Sequence, residues 1–122
     1  LEVVAAKMAS GGVVEDDVAE WFKDGKIEEA IAAMAQLANI PVDMVARAYH
    51  STHYDPLLFI VRSLRFGWGT FKLILTAKAG RAPPADVMKS AFEGFQQLSV
   101  STAQRVVRFT AVRERAIQPD AA

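Results

Sequence analysis

Two stretches of this sequence carry side chains able to do chemistry. The first is His50-Ser51-Thr52-His53-Tyr54-Asp55, where two imidazoles and a carboxylate fall within six residues. These are zinc-ligating types, but a zinc site needs three or four ligands converging in tetrahedral geometry, and this spacing matches no such pattern closely. The plainer alternative is a helix end and a helix start, with His50 at the partly negative C-terminus of one helix and Asp55 capping the next. We therefore expect no metal and no cofactor. Serines are present, yet none stands in a nucleophile elbow. Gly67-Trp68-Gly69 is too short for a dinucleotide or phosphate loop, and a tight turn between helices explains its glycines. No catalytic residue is assigned, and the expectation is a protein that is not an enzyme.

The second stretch is basic. At 100° per residue, Arg105, Arg108 and Arg115 fall within about 80° of one another, whereas Ala103, Val106, Val107 and Thr110 form a separate stripe expected to face the core. Phe109 and Val112 lie beside the arginines instead of in that stripe. Arg62 and Arg65 add to the same basic half, outside the inward stripe of Leu57, Ile60, Val61 and Leu64, and Lys72 is a further cation there. Arg62, Arg65, Arg105, Arg108, Phe109 and Arg115 are the candidate partner surface. Two plainer readings stand beside it: a solvated face with stray apolar residues, or a second packing face. Trp68 likewise either staples a helix entry onto the core or projects as a contact.

The elements that must position these residues repeat. Ile31, Met34, Ala35, Ala38, Ile40, Val45, Ala48 and Tyr49 are followed, 26 residues on, by Leu57, Ile60, Val61, Leu64, Phe66, Phe71, Ile74 and Leu75. A fixed offset between apolar sets marks helical hairpins that bury their inner stripes by stacking on one another. The pattern extends backwards through Val13, Val18, Trp21 and Phe22, and forwards through Met88, Ala91, Phe92, Phe95, Ala103, Val106 and Val107. Gly25, Pro41, Asp55-Pro56, Gly80 and Pro83-Pro84 punctuate it as helix stops and starts. The expected fold is all-α, about eight helices in four stacked hairpins at about 1–24, 26–50, 55–80 and 84–116, a short HEAT-like α-solenoid with a disordered tail at 118–122. No stretch alternates with period two, so no strand is expected.

Composition narrows the class. At 122 residues, 52% hydrophobic and 23% charged, the chain has one domain's worth of sequence with the balance of a soluble protein. It contains no cysteine, which removes disulfides and thiolate chemistry and favours a reducing, cytoplasmic setting. No apolar run reaches membrane-spanning length, so no membrane partner is expected. The first residue is Leu1, which suggests a fragment of a longer polypeptide. Net charge is zero, but residues 1–60 carry four Lys/Arg against ten acids, and residues 61–122 carry ten against four. In a linear stack these halves would make an acidic end and a basic end.

With the turns in view, the chain resembles the alphaproteobacterial family known as domain of unknown function 2336, whose members are helical and distantly similar to HEAT-type repeats. The resemblance rests on Gly-Gly-Val-Val at 11–14, Lys-Asp-Gly-Lys-Ile-Glu-Glu-Ala at 23–30, Leu-Ala-Asn-Ile-Pro-Val-Asp-Met-Val at 37–45, Phe-Gly-Trp-Gly-Thr-Phe at 66–71 and Leu-Ser-Val-Ser-Thr-Ala-Gln-Arg at 98–105. These are caps and repeat turns, so the resemblance implies a helical repeat and carries over no catalytic residue. Asn39 and Val100 stand where relatives often have glycine and proline.

The expected function is a non-enzymatic protein interaction module that presents its basic C-terminal surface to an acidic protein partner. The alternative is nucleic-acid binding through the same face, with arginines on phosphates and Phe109 stacking, against which stands the acidic half. Head-to-tail self-association, acidic end to basic end, is a third possibility.

Overall fold

A computed structural model describes residues 12–117. The expected first helix, from Leu1 to about Ala9, and the expected tail at 118–122 lie outside the described residues. Within them the chain forms seven α-helices and no strand: α1 (Glu15–Lys23), α2 (Ile27–Ala38), α3 (Val42–His50), α4 (Asp55–Ser63), α5 (Trp68–Ala79), α6 (Ala85–Gln97) and α7 (Val100–Ile117). Among the described residues no helix is long and apolar enough to cross a membrane.

The 26-residue register is a physical repeat in the core. Seven of its eight position pairs are buried on both sides, and the eighth, Ala38 and Leu64, is half-buried on both. The backbone repeats with it. At the end of α2, Ile40 N–H donates to the Ala35 carbonyl at 3.0 Å and Asn39 N–H to Gln36 at 3.2 Å. At the end of α4, 26 residues later, Phe66 N–H donates to Val61 at 3.2 Å and Arg65 N–H to Arg62 at 3.0 Å. Both are the paired terminator that satisfies orphan carbonyls by turning one residue left-handed, and Asn39 (φ 57°) and Arg65 (φ 63°) are those residues. Phe66 therefore lies beyond the end of α4, as Ile40 lies beyond the end of α2. Asp55 is likewise the first residue of α4 instead of its cap, and no side chain caps that helix.

Four aromatic rings gather where α5 enters. Phe71, fully buried, stacks on Phe95 with ring centroids 6.0 Å apart, and the Trp68 ring meets the edges or faces of Phe71, Phe92 and Phe95 at 5.0–6.0 Å. Trp68 thus staples the start of α5 to α6. Consecutive helices pack together from α1 through α4, but the most extensive contact of all is between α4 and α7, and α1 lies against α5. Spatial order departs from sequence order, so the acidic and basic halves meet inside the fold rather than forming two opposite ends. Their meeting points are specific. The Glu15 carboxylate accepts from Gly67 N–H at 2.8 Å and from the Thr70 hydroxyl at 2.5 Å, and Arg47 pairs with Glu114.

Candidate interaction surface

The helix that presents the basic face, α7, is seated by a narrow stripe. Ala103, Val107 and Ala111, spaced i, i+4, i+8, are buried, and their small side chains let the helix lie close to α4. This corrects the expected stripe: Val106 is 39% exposed and Thr110 is only half-buried. The stripe is narrower because α7 rests mainly on a single helix. Polar links to α4 and its surroundings set its position along that helix. Gln104 Nε2 donates to the Ser63 carbonyl at 3.1 Å, and Arg115 Nη2 donates to the Asn39 carbonyl at 2.9 Å at the end of α2.

The six candidate residues divide into two groups. Arg62, in the last turn of α4, is turned inward: its Nε donates to the Leu98 carbonyl at 2.8 Å and its guanidinium lies 4.6 Å from the Phe95 ring centroid. It holds the connection between α6 and α7 against α4. Arg115 holds the C-terminal part of α7 against α2, and Arg65 is the left-handed residue of a helix terminator. The side chains of Arg62 and Arg115 are therefore engaged, whereas Arg65 has its backbone conformation fixed by the terminator and its side chain exposed. Arg105, Arg108 and Phe109 have no such task. All three are exposed, Phe109 by 66%, and neither arginine has a hydrogen-bond or ion-pair partner among the described residues.

Around those three the surface is mixed in character. Val112 is 58% exposed one turn from Arg108, and exposed Arg113 follows Phe109 by four residues, so the aromatic is flanked by arginine on both sides along the helix. Arg113 was not among the expected residues, although helical spacing from Phe109 was a sufficient signal for it. Beside this ridge, Arg108 and Arg115 border a groove of about 380 Å³ whose apolar lining includes Leu37, Leu64, Val107 and Ala111. Apolar side chains bordered by guanidinium groups are a composition that protein interfaces favour.

The His50 to Asp55 stretch is spread along a helix end instead of converging. His50 ends α3 with its ring edge-on to Tyr49, His53 N–H donates to Ser51 Oγ at 3.1 Å, and the Tyr54 hydroxyl is 2.9 Å from Ser90 Oγ. Among the described residues no three His, Asp or Glu side chains gather as a metal site would require. The charged group that acts here comes from elsewhere: Lys78 on α5 donates to the Tyr49 carbonyl at 2.6 Å and to that of Ser51, covering the negative end of α3. Burial pushes the Tyr49 hydroxyl pKa upward.

No curated protein and no solved structure matches the chain. A family model does, over residues 2–108, and its description is an uncharacterised protein conserved in bacteria. Since that match spans all seven helices except the last turns of α7, the chain belongs to the DUF2336 family.

Proposed function

We propose that this chain is a non-enzymatic, cytoplasmic protein interaction module, a HEAT-like helical scaffold that offers the outer ridge of α7 to an acidic protein segment. The observation that carries this reading is the set Arg105, Arg108 and Phe109, exposed together on one helix with no structural task within the described chain. Guanidinium groups are well suited to carboxylates because their planar donors match two oxygens at once. Phe109 and Val112 supply the apolar contact that ion pairs alone lack. The 26-residue recurrence of buried positions and of the helix terminator supports the scaffold part of the reading.

The test is capture of cytoplasmic proteins by the chain and by its Arg105→Ala/Arg108→Ala/Phe109→Ala variant, each with and without nuclease. All three positions are exposed, so the variant should retain its helicity and lie within about 0.5 kcal/mol per site of the parent stability. A protein retained through nuclease treatment and lost with the variant supports the reading. Capture that vanishes with nuclease moves the function to nucleic acid, and equal capture by both chains removes the ridge from it.

A further inference from the structure

The basic ridge of α7 has a complement on the same chain. Asp16 and Glu20 lie at i, i+4 on the solvent side of α1, Asp24 continues the line at its C-terminal cap, and Glu28 follows in the first turn of α2. All four are exposed, and none of their carboxylates has a hydrogen-bond or ion-pair partner among the described residues. From Asp16 to Asp24 this acidic line runs about 12 Å, and the exposed arginines of α7 from Arg105 to Arg113 run about 12 Å as well. The two ridges belong to helices that do not pack on each other: α1 lies against α2 and α5, and α7 against α4. Within one chain the two ridges are therefore left to solvent, while Arg47 and Glu114 are opposite charges that do meet elsewhere. A formal net charge of zero removes the overall repulsion that would keep two copies apart.

We infer that the α7 face receives the acidic α1 ridge of a second copy of this chain. The inference rests on the reading of α7 as an interaction surface and names its partner. Asp16, Glu20 and Asp24 of one copy meet Arg105 and Arg108 of the next, with Phe109 and Val112 excluding water between them. The contact joins two different surfaces, so a pair of copies keeps one free ridge of each sign and the assembly grows as a chain or closes as a ring. Exposed ion pairs are screened by salt, so association is weak, concentration-dependent and lost at high ionic strength.

Sedimentation velocity tests this with three proteins: the parent chain, the basic-face variant Arg105→Ala/Arg108→Ala/Phe109→Ala, and an acidic-ridge variant Asp16→Ala/Glu20→Ala/Asp24→Ala. At about 1 mM protein and about 0.02 M salt the parent should exceed the monomer mass, and at about 0.5 M salt it should return to it. Each variant alone should stay monomeric, because each lacks one of the two surfaces. An equimolar mixture should form a one-to-one dimer and nothing larger, since each variant supplies the surface the other lacks. A parent chain that is monomeric at low salt overturns the inference, as does continued growth by either variant. Its failure is separable from that of the functional reading. If the parent is monomeric, yet it and the acidic-ridge variant both capture an acidic protein that the basic-face variant loses, self-association is wrong and the α7 surface stands.

Discussion

Glu15 is the residue on which the contact between the acidic and basic halves turns. Gly67, the residue before helix α5, has no side chain to cap that helix, and its N–H faces the carboxylate of Glu15 from α1. The carboxylate accepts from Gly67 N–H at 2.8 Å and from Thr70 Oγ1 at 2.5 Å, serving as an N-terminal cap supplied across 52 residues of sequence. Replacing Glu15 with Ala removes both bonds and the charge at the positive end of α5. A lost cap costs about 1 kcal/mol, and a charge-assisted bond about 1.5 kcal/mol or more. Gly67 is exposed and Glu15 half-buried, so water recovers part of the loss. The net expectation is a destabilisation of about 1–2 kcal/mol, seen as a fall in Tm of roughly 4–8 °C for a domain of this size. Glu15→Gln keeps an acceptor oxygen and loses only the charge, so it should fall between parent and Glu15→Ala. Thermal and urea unfolding followed by circular dichroism reads all three, and a cycle with Thr70→Val should return a coupling of about 0.5–1 kcal/mol. If Glu15→Ala melts with the parent, the carboxylate does not cap α5 and the account of how α1 is fixed to α5 is wrong.

Two further predictions concern the helix ends. Lys78→Met removes the ammonium that covers the Tyr49 and Ser51 carbonyls while keeping most of the aliphatic stem, and should lower stability by about 1 kcal/mol in urea unfolding; an unchanged midpoint would show that solvent serves the end of α3 equally well. Arg65→Gly relieves a left-handed residue with a Cβ and should raise stability by about 0.5–1 kcal/mol, whereas Asn39→Gly at the equivalent position should change it by only a few tenths, because asparagine tolerates that conformation. Denaturant midpoints for the pair check this, and an equal response at both sites would contradict it.

Most of the helical framework was legible before any coordinates. The 26-residue offset predicted which apolar residues are interior, and Ile31 through Leu75 obey it because a helix's buried stripe follows from its own periodicity. The last two helices are less legible. Phe92 and Val106 matched the template yet are 37% and 39% exposed, since α7 rests on α4 through a stripe that leaves Val106 outside it and Phe92 has its ring contact with Trp68. The candidate surface was legible as a list of exposed cations, but not as to which were free. Nothing local to Arg62 distinguishes it from Arg108; the difference is the Leu98 carbonyl and the Phe95 ring that Arg62 reaches from α4.

The sequence by itself determined to within a few residues where the helices from Glu15 onward begin and end, which residues the 26-residue repeat buries, and that Phe109 and Val112 lie beside the arginines of α7 and outside its core stripe, because caps, turns and helical spacing act over a few residues. Only the tertiary structure decided that α1 meets α5 and α7 meets α4, that Glu15 caps a distant helix, and that Arg105 and Arg108 stay open while Arg62 and Arg115 are engaged. Those outcomes depend on which side chains approach one another across dozens of residues, and that is set by the angles at which whole helices dock, a property no single stretch encodes.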